Sequence, residues 1–417
     1  MRTTLYEKLF IDGFQKPSYV VATLAFDRLP PTEALTDAIV GTLARHPRLR
    51  SIARTWLGVP VALDPRPARE WLARGGLRRL ESADVHALEE ALLGAPLDIR
   101  RALPLEIYAI ARPATLVVKA HHAVIDAASG FGVLHDFTRL VAGHEPRRYV
   151  RPASDGARGR RVLDWPSGRR ALEWASGVQL APRVPGPGVV ARYRPTHSLE
   201  HEPVVYTERL LAGTHERLAR RARGHGATLF ELVASALLSG MQRYNAARGS
   251  ADAPETVGLM FARAPRGLRP PQASFRADTG IVAVPSALLA TPHHRATLAE
   301  LRRATRDRRH NDLALAALYA ARKLKRPSRA PAEQTAICFT LSDLTAFGRS
   351  PRDFDPTSRS PAIDAVRVLA SPTSFDHAGM LVSRLRDDVR LSLVAHRGAV
   401  DADALLGATL ACLSEDS

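Results

Sequence analysis

The sequence predicts an α/β (α+β) fold arranged in two lobes, and three observations carry that prediction. A chain of 417 residues is longer than one ordinary core organises, at roughly 100 to 200 residues per domain. Short β-branched runs alternate with segments of helical spacing in both halves, the pattern of a layered α/β assembly. Between the halves, residues 143–202 are dense in Pro, Gly and Arg, as in Pro182-Arg183-Val184-Pro185-Gly186-Pro187-Gly188, with Trp165 and Trp174 implying that part of the stretch packs. The expected division is an N-terminal lobe over 1–185 and a C-terminal lobe over 186–417.

In the first half, Tyr19 to Phe26 is rich in β-branched and aromatic residues and is expected to be a strand. Pro31 and Thr32 open a helix in which Leu35, Ala38, Ile39 and Leu43 recur at three- and four-residue spacing until Pro47 stops it. Leu105 to Ala111 and Thr115 to Ala120 form two strands across a turn at Arg112-Pro113-Ala114. Ser129 to Ala142 then sets Phe131, Leu134, Phe137 and Leu140 on one helical face.

The second half opens with a strand at Val204 to Leu211 and a helix at Thr214 to Gly224. Thr228 caps a longer helix whose stripe of Leu229, Leu232, Val233, Ala236, Leu237 and Met241 marks it as buried. Strands are expected at Val257 to Phe261, Gly280 to Pro285, Ala336 to Leu341 and Ala365 to Leu369, with helices at Ala296 to Arg309 and Leu313 to Lys325. Met380 to Leu385 and Val389 to His396 read as a hairpin turning at Arg386-Asp387-Asp388, followed by a helix at Asp401 to Leu413. No internal repeat of about 20 to 50 residues is visible.

Hydrophobic residues at 45% and charged residues at 24% give the balance of a globular protein. The formal charge of +17 suggests phosphate-bearing partners, yet only five of the 59 basic residues are lysine and no nucleic-acid motif accompanies them. A basic surface suits an acidic carrier protein or the phosphates of coenzyme A equally well, so no nucleic acid is expected. The stretch from Arg302 to Arg329 is the densest basic segment; it reads either as such a docking face or as the solvated side of two helices. Cys338 and Cys412 are the only cysteines and form no disulfide framework. Charged residues break any apolar run in Met1 to Gln15, and Leu229 to Met241 is shorter than the about 20 residues that cross a bilayer. A soluble, cytoplasmic monomer without a membrane span is the expectation.

The chemistry gathers at His121-His122-Ala123-Val124-Ile125-Asp126. Side-chain direction alternates along a strand, so two consecutive histidines at its end point to opposite faces and cannot share one task. A neutral imidazole accepts a proton near pH 7, which makes either ring a candidate general base. A purely structural role stays open on these residues alone. A metal site is disfavoured, because adjacent ligands diverge and no third ligand has suitable spacing.

This run resembles the HHxxxDG signature of the chloramphenicol-acetyltransferase-like superfamily, which includes condensation domains, polyketide-associated acyltransferases and alcohol acyltransferases. His46-Pro47-Arg48-Leu49-Arg50, Gly226-Ala227-Thr228-Leu229-Phe230-Glu231 and Pro265-Arg266-Gly267-Leu268-Arg269-Pro270 are similar to further passages of those families. The resemblance implies two lobes with a central tunnel between them and the motif at its middle. It implies that His122 is the catalytic base while His121 packs inward. Asp126 would be structural, paired with Arg269 or, behind it, Arg266, since a buried carboxylate and guanidinium each relieve the other's unpaired charge.

Thr340-Leu341-Ser342-Asp343 aligns loosely with a segment beside the oxyanion, a role set for Ser342 against that of an ordinary strand-end residue. Asp376-His377 reads either as a lining of the acceptor mouth or as a solvated loop. Ala127 stands where the motif has glycine, which puts a tight backbone conformation in doubt.

The implied reaction is direct transfer from acyl-CoA or an acyl-phosphopantetheinyl carrier protein, acting in trans, to a hydroxyl or amine of a small molecule, forming an ester or amide in secondary or lipid metabolism. No cofactor is bound permanently. The alternative is a catalytically silent member that binds a carrier protein as a scaffold.

Overall fold

The structure is a computed structural model that describes residues 1, 7, 11, 18–57, 59–145, 203–247, 256–263, 278–306, 339–345, 363–372, 378–397 and 400–415. Its first half gives β1 (Tyr19–Phe26), α1 (Thr32–Arg45), β2 (Ser51–Trp56), β3 (Val59–Pro65), α2 (Ala68–Ala73), β4 (Leu77–Ser82), α3 (Val85–Gly94), β5 (Leu105–Arg112), β6 (Thr115–His121) and α4 (Ala127–Val141). The second gives β7 (Val204–Leu211), α5 (His215–Gly224), α6 (Leu229–Ala247), β8 (Thr256–Arg263), β9 (Asp278–Pro285), α7 (Arg295–Arg306), β10 (Phe339–Asp343), β11 (Ile363–Ala370), β12 (Ala378–Leu385), β13 (Asp388–His396) and α8 (Ala402–Ser414). This is the two-lobed α/β architecture that the alternating pattern predicts.

The first sheet runs β11-β1-β6-β5-β4 and the second β7-β13-β12-β10-β8-β9, with β2 and β3 a separate hairpin. In the first, β4 lies parallel to β5 and the remaining pairs are antiparallel. In the second, β10 is parallel to both neighbours, β12 and β8.

Two features depart from the sequence reading. Ile363–Ala370, expected in the C-terminal lobe, pairs with β1 from Val20↔Ala370 to Phe26↔Ile363 and so completes the N-terminal sheet. The lobes are therefore not two continuous halves of the chain, and the expected 185/186 boundary lies outside the described residues. The hairpin and the elements from Ala68 to Gly94 were not expected at all.

Each lobe closes around its own apolar cluster. In the first, Leu35, Ile39 and Leu43 on α1 meet Phe131, Leu134 and Phe137 on α4 and Leu24, Leu116 and Ile107 on the sheet. In the second, α6 presents Leu232, Val233, Ala236, Leu237 and Met241, each at most 1% exposed. The Thr228 hydroxyl accepts from the Glu231 N–H at 3.2 Å while Glu231 accepts from the Thr228 N–H at 2.8 Å, the reciprocal cap that the sequence implies. Gly240 lets α6 and α8 pack closely, because a Cβ there would sit 2.7 Å from Thr409 Cα. The lobes meet where Leu344, Leu381 and Val394 join the first cluster.

A charged joint fastens the same boundary. Arg367 on β11 donates from Nη1 to both Glu89 oxygens at 2.9 and 2.8 Å, and from Nε and Nη2 to Glu208 on β7 at 2.8 and 2.6 Å. Arg390 on β13 donates to Glu208 at 2.5 Å, and the hydroxyls of Thr23 and Tyr206 donate to Glu89. Burial alone would raise the Glu208 carboxyl, but the Arg367 and Arg390 guanidiniums hold it below the usual carboxylate range.

Candidate active site

β6 and β1 deliver the histidine pair. Leu116, Val118 and Ala120 point toward α1 and α4, so alternation sends Val117, Lys119 and His121 to the other face of the sheet. There His121 is 1% exposed, and its ring meets Tyr19 edge-on with centroids 5.7 Å apart. Its Nδ1 accepts from the Ala123 N–H at 3.1 Å. Burial, the neighbouring His122 and the Lys119 charge push its pKa down to about 3, so the ring stays neutral.

His122 leaves the strand in a single 3₁₀ turn, His122–Val124. Its N–H donates to Ser18 O at 3.0 Å, which ties the turn back to the entry of β1. The ring is partly buried and its Nδ1 lies 2.8 Å from Ile125 O. A carbonyl only accepts, so Nδ1 carries the hydrogen, and in the neutral ring Nε2 carries the lone pair. Burial lowers the pKa from its usual value, against the opposing pull of Asp126 and the Ile125 carbonyl. The sum is an imidazole kept neutral at pH 7 in a single tautomer, the state a general base requires.

Asp126 is 3% exposed and serves as the N-cap of α4. Its Oδ1 accepts from the Ser129 N–H at 2.8 Å, and its own N–H donates to Ser129 Oγ at 3.1 Å. Arg269 and Arg266, the partners implied for this carboxylate, lie outside the described residues. Ala127 is the first residue of α4, an ordinary helical position, so glycine's wider backbone freedom is not what this position uses. Asp126→Ala is expected to cost about 1 to 2 kcal/mol through the lost cap, and Asp126→Asn markedly less from the same cause. Urea midpoints of the two variants check this.

Ser342 lies on β10 in parallel register with Leu381. Leu381 packs into the first-lobe cluster, whereas Phe339 and Leu341 face the second-lobe core, so Ser342 stands on the face that meets the first lobe. Asp376 and His377 lie outside the described residues. Of the Arg302–Arg329 segment, Arg302, Arg303 and Arg306 on α7 are described; Arg302 donates to Gly226 O and Arg303 pairs with Glu300.

Three residues unforeseen from sequence complete the surroundings. Lys119 is 1% exposed, donates from Nζ to Ala95 O at 2.6 Å, and sits 4.4 Å from the Tyr19 ring centroid. Burial brings its pKa down to about 8. The Tyr19 hydroxyl accepts from the Leu97 N–H at 2.9 Å. A lone lysine inside the apolar run Val117-Val118-Lys119-Ala120 was the available signal. Asp136, fully buried on α4, accepts from Arg45 Nε at 3.1 Å and lies 3.1 Å from His46 Nε2. The His46-Pro47 passage is therefore a strut that holds the motif-bearing helix.

A cavity of about 70 Å³ adjoins the motif loop on its Ile125–Asp126 side. It lies within the first lobe, between the sheet and helices α1 and α4, and not between the lobes where the resemblance puts a tunnel. Among the described residues, no group of three or more His, Cys, Asp or Glu is arranged to hold a metal, and no helix is long and apolar enough to cross a membrane.

The sequence matches no protein-family model and no curated protein. Its fold does have solved relatives. A trichothecene 15-O-acetyltransferase from Fusarium sporotrichioides is similar with a TM-score of 0.70 at 11% identity, over 99% of this chain and 94% of that one. The condensation domain from the monacolin K polyketide synthase gives 0.66 at 14%, over 99% of this chain and 96% of that one. The X-domain from teicoplanin biosynthesis gives 0.61 at 20%, over 99% and 93%. The chain shares the fold of these acetyltransferase, condensation-domain and X-domain structures.

Proposed function

We propose that this chain is an acyltransferase that passes an acyl group from a pantetheinyl thioester to a hydroxyl or amine, with His122 Nε2 as general base. The carrying observation is the Nδ1 to Ile125 O contact of 2.8 Å, which leaves the lone pair on Nε2. The acceptor's proton moves to Nε2 as its oxygen or nitrogen attacks the thioester carbonyl; the resulting imidazolium then returns a proton to the departing sulfur, so no acyl-enzyme forms. Coenzyme A and an acidic carrier protein acting in trans are both compatible donors for a chain of charge +17. An acetyltransferase and a condensation domain among the solved relatives support this class of chemistry.

The test incubates the protein with acetyl- and octanoyl-CoA, or the same acyl groups on a carrier protein, and a panel of alcohols and amines, read by mass spectrometry. A product made by the native protein supports the proposal. The scaffold alternative predicts no product with any donor, together with retained binding of the carrier protein.

A further inference from the structure

The cavity beside the motif loop is built like a site. Val20, Ala22 and Val118 are apolar residues on inner strands of the first sheet, where helices normally cover the surface, yet each is only half-buried. Small residues make the space: Ala22 and Ala120 on the sheet, opposite Gly130 on α4. Asp126 is the one charged residue in the lining, and its Oδ1 is engaged by the Ser129 N–H. The rest of the wall is aliphatic or aromatic apart from Thr42, whose hydroxyl donates to Ala38 O at 2.7 Å. Nothing there recognises a polar ligand.

Resting on the proposed acyl transfer, we infer that this cavity takes the alkyl tail of the acyl donor and selects medium-length linear chains. The 70 Å³ is several times the roughly 10 to 15 Å³ that a single water-sized group requires, so the space takes more than an acetyl methyl. Ile125 joins the two functions, since its carbonyl holds His122 Nδ1 while its side chain lines the cavity. The cavity therefore shares Ile125 with the loop that carries the base. Each methylene buried there is worth about fourfold in affinity.

Octanoyl- and acetyl-N-acetylcysteamine are the probes, because this thioester is common to coenzyme A and carrier-protein donors. Calorimetry on the full chain is expected to show octanoyl binding at least tenfold tighter than acetyl. Ala22→Leu and, independently, Gly130→Leu are expected to erase most of that preference by filling the space. A Cβ on Gly130 meets Ile125 side-chain atoms at 3.7 and 3.8 Å, ordinary van der Waals contact. Thermal midpoints confirm that each variant is folded. Equal affinity for the two probes, or an octanoyl preference unchanged in both folded variants, overturns the inference. Octanoyl binding that responds to the variants, with no transfer to any acceptor, contradicts the proposed reaction and leaves the acyl site standing.

Discussion

His122→Ala is expected to lower kcat for acyl transfer by about 10²- to 10⁴-fold, the usual worth of a positioned general base. The Nδ1 contact to Ile125 O is worth about 1 kcal/mol, and a thermal midpoint of the variant separates lost folding from lost catalysis. His121→Ala should behave in the opposite way. It leaves the Ala123 N–H without its acceptor beside an emptied buried site, and the loss should appear in the unfolding midpoint before it appears in kcat.

The pH dependence follows from the sign of the shift. Burial lowers the His122 pKa below its ordinary 6.5, so the base form persists as pH falls through 6.5. The acid limb of kcat should accordingly lie below that value, and a limb above 6.5 would mean that another group controls the rate.

The second large effect concerns stability. Arg367→Met should destabilise the protein by about 3 to 5 kcal/mol, because Glu89 is 0% exposed and would be left as an uncompensated buried charge. Glu89→Gln alone should cost less, since the amide still bonds Thr23 and Tyr206 while Arg367 keeps Glu208. The double variant should recover part of the Arg367→Met loss, and guanidinium unfolding of the three proteins measures this non-additivity. The joint links α3, β7, β11 and β13, so partial unfolding of one lobe ahead of the other is expected in Arg367→Met.

The elements read from sequence were those whose periodicity is local. Leu35, Ile39 and Leu43 repeat at helical spacing, and Arg386-Asp387-Asp388 separates two apolar runs that pair from Ala378↔Ala395 to Leu385↔Asp388. β4 escaped notice because it is an edge strand in which Arg78, Arg79 and Glu81 surround Leu77 and Leu80, the charged composition that protects an unpaired edge. The crossing of β11 into the first sheet was hidden for a different reason. Strand order depends on pairing between residues about 350 positions apart, such as Val20 and Ala370, and no local pattern encodes it.

At the site, the change of face between Ala120 and His121 follows from strand alternation. The tautomer of His122 was not legible in the sequence, because it depends on a carbonyl three residues on that only the 3₁₀ turn brings within reach. Asp126 was read through its resemblance-implied arginine, whereas Asp126-Ala127-Ala128-Ser129 already spelled a helix cap.

The central claim is that His122 presents a neutral imidazole with its lone pair on Nε2. Two-bond ¹H–¹⁵N spectra of the ¹⁵N-histidine-labelled protein, recorded from pH 4 to 8 with His122→Ala for assignment, read tautomer and titration together. A protonated Nδ1, a bare Nε2 and a midpoint below 6.5 are predicted. A bare Nδ1, or a midpoint above 6.5, would contradict the account.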